Sequence, residues 1–450
     1  MIRTRNIALT IILGFLPGLH AWAQHTYTLE QLLDSARSHN IALRNGQRDI
    51  EAAQEQRKEA FTKFFPTVSA TGAWFNANKS MAQTELDLTP YITPELGATL
   101  AQLLPAETLV ALSSPMSISM MKHGTIASIT AIQPVFAGGQ IINGNKLAKI
   151  GEEVSRLRQQ LSEDEVETTA EQYFWQLVTL EEKQRTIASV EEMLADIHKD
   201  VNLAVEAGLT LRNDLLKVEL RQNEVESQKV KIQNGMALVK MLLAQYCGLR
   251  DTSFTLRYTT EAISPLTIKR DHQQALLNTP EYQLLDKQVE ATSLQKKMAV
   301  GENLPSVAVG AGYNYHNLLG SDQTFGMIFA TVSVPLSNWW GGSHAIKRKK
   351  IAQQQAIDQR DDNAELLTIR MQKAWNDVEE AYQQLTIAER SIRQAEENLR
   401  LSRNCYQAGT TTMSDLLEAQ MLYQQSLDKH TDAFADYQNK ILAYKHAVGM

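Results

Sequence analysis

"EAGLTLRNDLLKVE" (206–219) and "QAGTTTMSDLLEAQ" (407–420) carry nearly the same pattern, and their glycines stand 409 − 208 = 201 residues apart. In each, a helical stretch stops at a glycine, a short polar run follows, and an acidic residue opens a new periodic stretch. Glycine just past a helix end supplies the left-handed backbone that reverses the chain. Gly208 and Gly409 are therefore read as two helix turns. Asn213 and Ser414 are the expected caps of the returning helices. Asp214 and Asp415 fall in their first turns, where the helix dipole favours an anion.

Working outward, proline placement divides the chain. The eleven prolines leave 135–264 and 336–450 free of proline, and both tracts are rich in Glu, Gln, Lys, Leu and Ala, as long helices require. The stretch from about 140 to 207 predicts nearly seventy residues of helix, roughly 100 Å at 1.5 Å per residue. Leu416, Gln420, Tyr423, Leu427, His430, Phe434, Tyr437, Ile441 and Tyr444 step by 4, 3, 4, 3, the period of a coiled-coil seam. Trp375, Val378, Tyr382, Leu385, Ala388, Ile392, Ala395 and Leu399 keep nearly the same spacing on the preceding helix. Both stripes read as core.

The two halves share one register. Pro66 in "FFPTVSA" matches Pro305 in "NLPSVAV" at a shift of 305 − 66 = 239, and Pro134 matches Pro335 at 335 − 134 = 201, the shift of the glycines. Each half reads helix, strand, loop, strand, very long helix, break, helix. The first repeat is placed at 24–264, with strands near 66–76 and 124–136 and helices near 140–207 and 213–247. The second is placed at 265–450, with strands near 305–316 and 323–336 and helices near 343–407 and 414–447. "VAVGAGYNYH" (307–316) alternates apolar with small or polar residues, a strand with one apolar face; Gly320, Ser321 and Asp322 lie in its expected turn.

Arg3 and Arg5, an apolar run from Ile7 to Leu19 and Ala21-Trp22-Ala23 have the plan of a secretory leader over 1–23. No later run reaches the about 18 apolar residues of a transmembrane helix. Without Arg3 and Arg5 the formal charge goes from 44 − 51 = −7 to 42 − 51 = −9, which argues against nucleic acid as a partner. The one basic cluster, Lys347 to Lys350, reads as a solvated or membrane-facing helix end. Cys247 and Cys405 do not make a disulfide scaffold. No GxSxG, Walker loop, HExxH or CxxC is present. "SLQK" (293–296) lies within a repeated helix without companion motifs, so no enzyme, cofactor or metal site is expected.

Four strands with apolar faces pose a closure problem. Unpaired strand edges are not tolerated in a bilayer, and membrane barrels begin at about eight strands. Strands entering a membrane must therefore be completed by further copies of the chain, with Trp74, Trp339 and Trp340 near their ends as an aromatic girdle. The other reading is a soluble periplasmic coiled-coil adaptor or scaffold with a small sheet.

"YTLEQLLDSARSHNIALRNGQRDIEAAQEQRKEAFTKFFPTVSATG" (27–72), "QPVFAGGQI" (133–141) and "YQAGTTTMSDLLEAQMLY" (406–423) resemble the TolC family of outer membrane efflux proteins, in order and over nearly the whole mature chain. The resemblance implies a mainly α protein with a small β part. It implies a homotrimer giving four strands per protomer to one twelve-stranded outer membrane β-barrel, continued by a long periplasmic α-helical barrel. It implies a passive exit channel of a tripartite efflux or type I secretion system in a Gram-negative outer membrane, docking with a periplasmic adaptor and an inner membrane pump. The turns at Gly208 and Gly409 become the periplasmic tip. Asp415 and Glu418 fall where the family carries acidic entrance rings. Asp214 and Tyr406 fall where it carries contacts that hold the tip shut, with Thr411 in place of an arginine. Cys405 near the tip and Cys247 about 50 Å away imply that the two are not disulfide bonded.

Overall fold

The computed structural model describes residues 25–112, 114–262, 264–318 and 321–450. The expected leader and Gly320 lie outside them. In chain order the elements are β1 (His25–Thr28), α1 (Leu29–His39), α2 (Ile41–Thr62), β2 (Thr67–Asn76), β3 (Ala82–Leu86), α3 (Pro94–Leu103), α4 (Ala106–Leu112), β4 (Met116–Met120), β5 (His123–Ala137) and α5 (Gln140–Glu206). They continue with α6 (Arg212–Cys247), β6 (Phe254–Arg257), α7 (His272–Leu276), α8 (Pro280–Gly301), β7 (Ser306–His316), β8 (Gln323–Ser333), α9 (Asn338–Gln407) and α10 (Met413–Ala447). They fall into two compact units: residues up to 45 with 161–275 and 368–450, and residues 46–160 with 276–367.

The second unit holds a four-stranded sheet in the order β2-β5-β7-β8, with all three pairings antiparallel. Register partners share a face, so the ladder sorts the side chains. Val68, Trp74, Ile129, Val309, Tyr313, Ile328 and Val332 lie on one face and are exposed; Ile328 is 90% exposed and Trp74 71%. The opposite face is mixed: it carries Ser69, Thr71, Ser128, Thr130, Asn314 and Gln323 beside Phe75, Ile126, Ile132, Phe325, Met327 and Phe329, and the Thr71 and Ser128 hydroxyls meet across it at 2.7 Å. No Asp, Glu, Lys or Arg occurs in the four strands. Among the described residues β2 and β8 are each paired on one side only.

Pro134 lies past the end of the β2 ladder, which stops at Thr67 opposite Ile132, and the register with β7 shifts beside it. A residue without an N–H is tolerated at such a free side, and the bulge bends the strand toward its helix. β8 stops at Ser333, short of the expected 336, because Pro335 cannot donate to a ladder. α9 starts at Asn338, ahead of the expected 343: Gly341 and Gly342 are helical, and a side chain on Gly342 would run into that of Asn303. The segment between β2 and β5 forms a β3-β4 hairpin ladder around α3 and α4.

The first unit is helical apart from the short parallel pair β1-β6. Thr28 starts α1 with a capping box: its hydroxyl accepts from Gln31 N–H while the Gln31 side chain accepts from Thr28 N–H. Both heptad stripes are buried or half-buried along their length, with Trp375, Val378, Tyr437 and Tyr444 at 1% exposure or less. Trp175 stacks edge-on against Phe434 and Trp375 against Tyr444, with centroids 5.6 and 5.2 Å apart. Among the described residues no helix is long and apolar enough to cross a membrane.

Candidate functional site at the paired helix turns

The two turns close in the same way. Gly208 has φ 71° and Gly409 φ 73°. Gly208 N–H donates to Val205 O at 3.0 Å and Leu209 N–H to Ala204 O at 2.8 Å. Gly409 N–H donates to Tyr406 O and Thr410 N–H to Cys405 O, both at 2.9 Å. These are paired Schellman bonds, which satisfy the last carbonyls of each helix. A Cβ on either glycine would meet nothing within 4 Å, so the positive φ alone demands glycine. The far ends of α6 and α10 repeat the device at Gly248 and Gly449, again 449 − 248 = 201 residues apart.

Beyond the glycines the turns differ, and the expected caps are corrected. Ser414 lies inside α10; its N-cap is Thr412, whose hydroxyl accepts from Asp415 N–H at 3.2 Å. Asp415 Oδ2 in turn accepts from Thr412 N–H at 3.0 Å, Thr412 Oγ1 at 2.7 Å and Thr411 Oγ1 at 2.8 Å. The Thr412 hydroxyl, then its N–H, then the Thr411 hydroxyl hold the Asp415 carboxyl below the ordinary carboxylate value, and the charge of Lys217 adds to this. Asn213 likewise lies inside α6, whose N-cap is Leu211, a residue with no side-chain oxygen to offer. There Thr210 Oγ1 donates to Asp214 Oδ2 at 3.0 Å and Lys217 Nζ donates to Asp214 Oδ1 at 3.1 Å.

At the 201-residue shift Thr210 corresponds to Thr411, Leu211 to Thr412, Asp214 to Asp415 and Lys217 to Glu418. The first turn thus pairs its acid with a lysine. The second places two exposed acids, Asp415 and Glu418, three residues apart on one side of α10.

The turns meet at Tyr406. Its half-buried ring joins an apolar cluster of Val190, Leu194, Val201, Val218, Met413 and Leu416, and its hydroxyl bonds the Thr210 side chain. Burial, with the Asp214 charge opposing the effect of Thr210, raises the Tyr406 pKa. Tyr406 and Asp214 are therefore brought together through Thr210. Thr411 bonds Asp415 within its own turn.

Further along the same helices lies a contact that sequence reading missed. Arg221, 8% exposed, donates from Nε to Gln420 Oε1 at 3.0 Å and from Nη2 to Gln424 Oε1 at 2.6 Å, while Nη1 reaches Glu224 at 2.9 Å. Gln424 Nε2 then donates to Gln228 at 2.8 Å. The available signal was a cation three residues after Val218 and four before Val225, in the buried stripe of α6, opposite a glutamine in the stripe of α10.

Both cysteines are free, Cys247 buried and Cys405 exposed. Among the described residues no group of three or more His, Cys, Asp or Glu is placed to hold a metal ion.

Residues 272–449 match the family model described as outer membrane efflux protein. No curated protein matches the sequence. The fold resembles that of the outer membrane protein VceC of Vibrio cholerae, at TM-score 0.72 and 16% identity over 94% of this chain and 96% of that one. It also resembles the outer membrane channel CmeC of Campylobacter jejuni, at TM-score 0.71 and 14% identity over 100% and 93% of the two chains. For the open state of the Neisseria gonorrhoeae outer membrane channel MtrE the TM-score is 0.70, at 14% identity over 94% and 88%. At such identities the likeness is one of fold, and it extends along nearly all of each chain. Residues 272–449 thus match the outer membrane efflux protein family, and the whole chain shares its fold with outer membrane channels.

Proposed function

We propose that the protein is a passive outer membrane exit channel of a Gram-negative bacterium, working as a homotrimer in a tripartite efflux or type I secretion system. One observation carries this reading: a four-stranded sheet without an Asp, Glu, Lys or Arg, predominantly apolar and exposed on one face, mixed polar and apolar on the other, with both edge strands unpaired among the described residues. Strands of 10 to 15 residues suffice to span a bilayer at the usual tilt. Their open edges call for further strands, and three copies give twelve. The 22-residue helices α2 and α8, starting 280 − 41 = 239 residues apart, support two structural repeats, 24–264 and 265–450.

In this reading the turns at Gly208 and Gly409 form the periplasmic tip. Asp415 and Glu418, repeated around a threefold axis, make a cation-attracting constriction. Asp214, Tyr406 and Thr411 stand at the contacts that close it. A periplasmic adaptor and an inner membrane pump supply drive and cargo selection.

The test is the mass of the protein extracted from membranes in detergent, followed by conductance in planar bilayers. A mass of three chains with a cation-preferring conductance supports the channel. A monomer released without detergent overturns it and leaves the coiled-coil scaffold.

A further inference from the structure

Within the unit that holds the sheet, aromatic residues and unpaired cations follow one another along the same helix faces. Trp339 and Trp340, 50% and 84% exposed, open α9 directly after β8. Lys347 lies seven residues beyond Trp340, and Lys350 eleven beyond Trp339. Both intervals return to the same face, about 10 and 16 Å further along the axis.

α5 places an aliphatic residue in the corresponding position: Ile142, 54% exposed, precedes Lys146. Lys63 opens the turn after α2 beside exposed Phe61 and Phe65, and Lys297 lies in the last turns of α8, before exposed Val300. With Arg348, these six side chains are Lys63, Lys146, Lys297, Lys347, Arg348 and Lys350. All are exposed, and none forms an ion pair with the described residues. The neighbouring Lys349 is turned to Gln295 at 2.9 Å. On these turns stand also the unpaired acids Glu59 and Glu302, while residues 323–357 contain no Asp or Glu at all.

We infer that these cations form a collar that binds the phosphates of anionic phospholipid in the leaflet adjoining the helices. The inference rests on the sheet spanning the outer membrane. The occupant is fixed by position and charge. The collar follows the apolar face of the strands past an aromatic layer, where a bilayer passes from hydrocarbon to headgroups, and because helical side chains lean toward the helix N-terminus the stems of Lys347, Arg348 and Lys350 reach back toward that zone. Lysine and arginine stems lie along apolar surface and place their charge at the phosphates. Each cation near an anionic surface contributes roughly fivefold in affinity, so the excess of cations over acids selects charge as well as insertion.

The full-length protein in detergent is titrated with phosphatidylglycerol or phosphatidylcholine, and retained lipid is counted by native mass spectrometry. The collar predicts more phosphatidylglycerol retained per assembly, and loss of the difference in high salt. It also predicts at least about tenfold weaker retention when Lys347→Gln, Arg348→Gln and Lys350→Gln are combined, with recovery in the variant carrying arginine at all three positions. Equal retention of the two lipids by the unaltered protein overturns the collar, whether or not the glutamine variant folds. That result in a protein still requiring detergent for extraction leaves the channel reading intact; extraction without detergent removes both.

Discussion

Arg221 Nε donates to Gln420 Oε1 at 3.0 Å, from a guanidinium 8% exposed between α6 and α10. Hydrogen bonds to a charged group contribute about 1.5–3 kcal/mol each, and the group left behind when one partner is removed adds a desolvation cost. Arg221→Ala strands Gln420 and Gln424 together and is expected to cost about 3 kcal/mol. Arg221→Met, which fills the space, costs less than Arg221→Ala. Thermal unfolding followed by circular dichroism ranks them; an Arg221→Ala protein melting with the unaltered one removes this contact from the account of stability.

The cap at Asp415 makes a prediction about pH. Its folded carboxyl titrates below the unfolded value of 3.8, so its contribution is complete above that value and is lost as the pH falls through the folded one. Hydrogen exchange of residues 413–416, corrected for intrinsic rate, is slow at neutral pH and accelerates selectively on acidification. Asp415→Ala shows the acid behaviour at pH 7. In the first turn, where Leu211 provides no cap, Leu211→Ser slows exchange of 212–215.

Glycines 208 and 138 separate two reasons for glycine. Gly208→Ala has open space and is strained only by φ, at a cost of about 1–2 kcal/mol. Gly138→Ala brings a Cβ to 2.2 Å from Gly301 O, a backbone atom that cannot swing aside. Gly138→Ala is expected to lower folded yield outright, while Gly208→Ala gives a folded protein with faster proteolysis at the turn. Equal effects of the two would count against close approach as the reason for Gly138.

The role proposed for Asp415 and Glu418 is open to electrical measurement. Asp415→Asn with Glu418→Gln, retaining size and polarity, is expected to move the reversal potential in a salt gradient toward that of a nonselective pore. Tyr406→Phe removes the bond to Thr210 and is expected to raise the open fraction without altering selectivity. A double variant with unchanged cation preference would place the selective constriction elsewhere.

Much of this molecule is legible in its sequence because its long elements obey simple periods. The alternation in 307–316 and the 4, 3 spacing of Leu416 to Tyr444 correspond to β7 and to the buried stripe of α10. The glycines at 208 and 409 declare themselves because nothing else supplies their φ. What escaped depends on pairing between distant residues. The four-residue strands β1 and β6 are too short for a pattern and exist through one another, across Thr26 and Thr255 at 3.0 Å. The caps were misplaced because Asn213 and Ser414 are good capping types, yet the hydroxyl of Thr412 stands three residues before Asp415, the spacing that closes a capping box. Arg221 in a buried stripe reads as an interruption until Gln420 and Gln424 are seen opposite it.

The free edges of β2 and β8 also bear on how the protein is made. Among the described residues of one chain the sheet leaves two rows of backbone groups without strand partners and a greasy face turned outward. In the proposed trimer the final step of maturation is an encounter between molecules, with a rate that rises steeply with their concentration. Until that encounter the lone chain of this proposal is a template for wrong pairing, which makes it a client for any holdase that covers open strand edges.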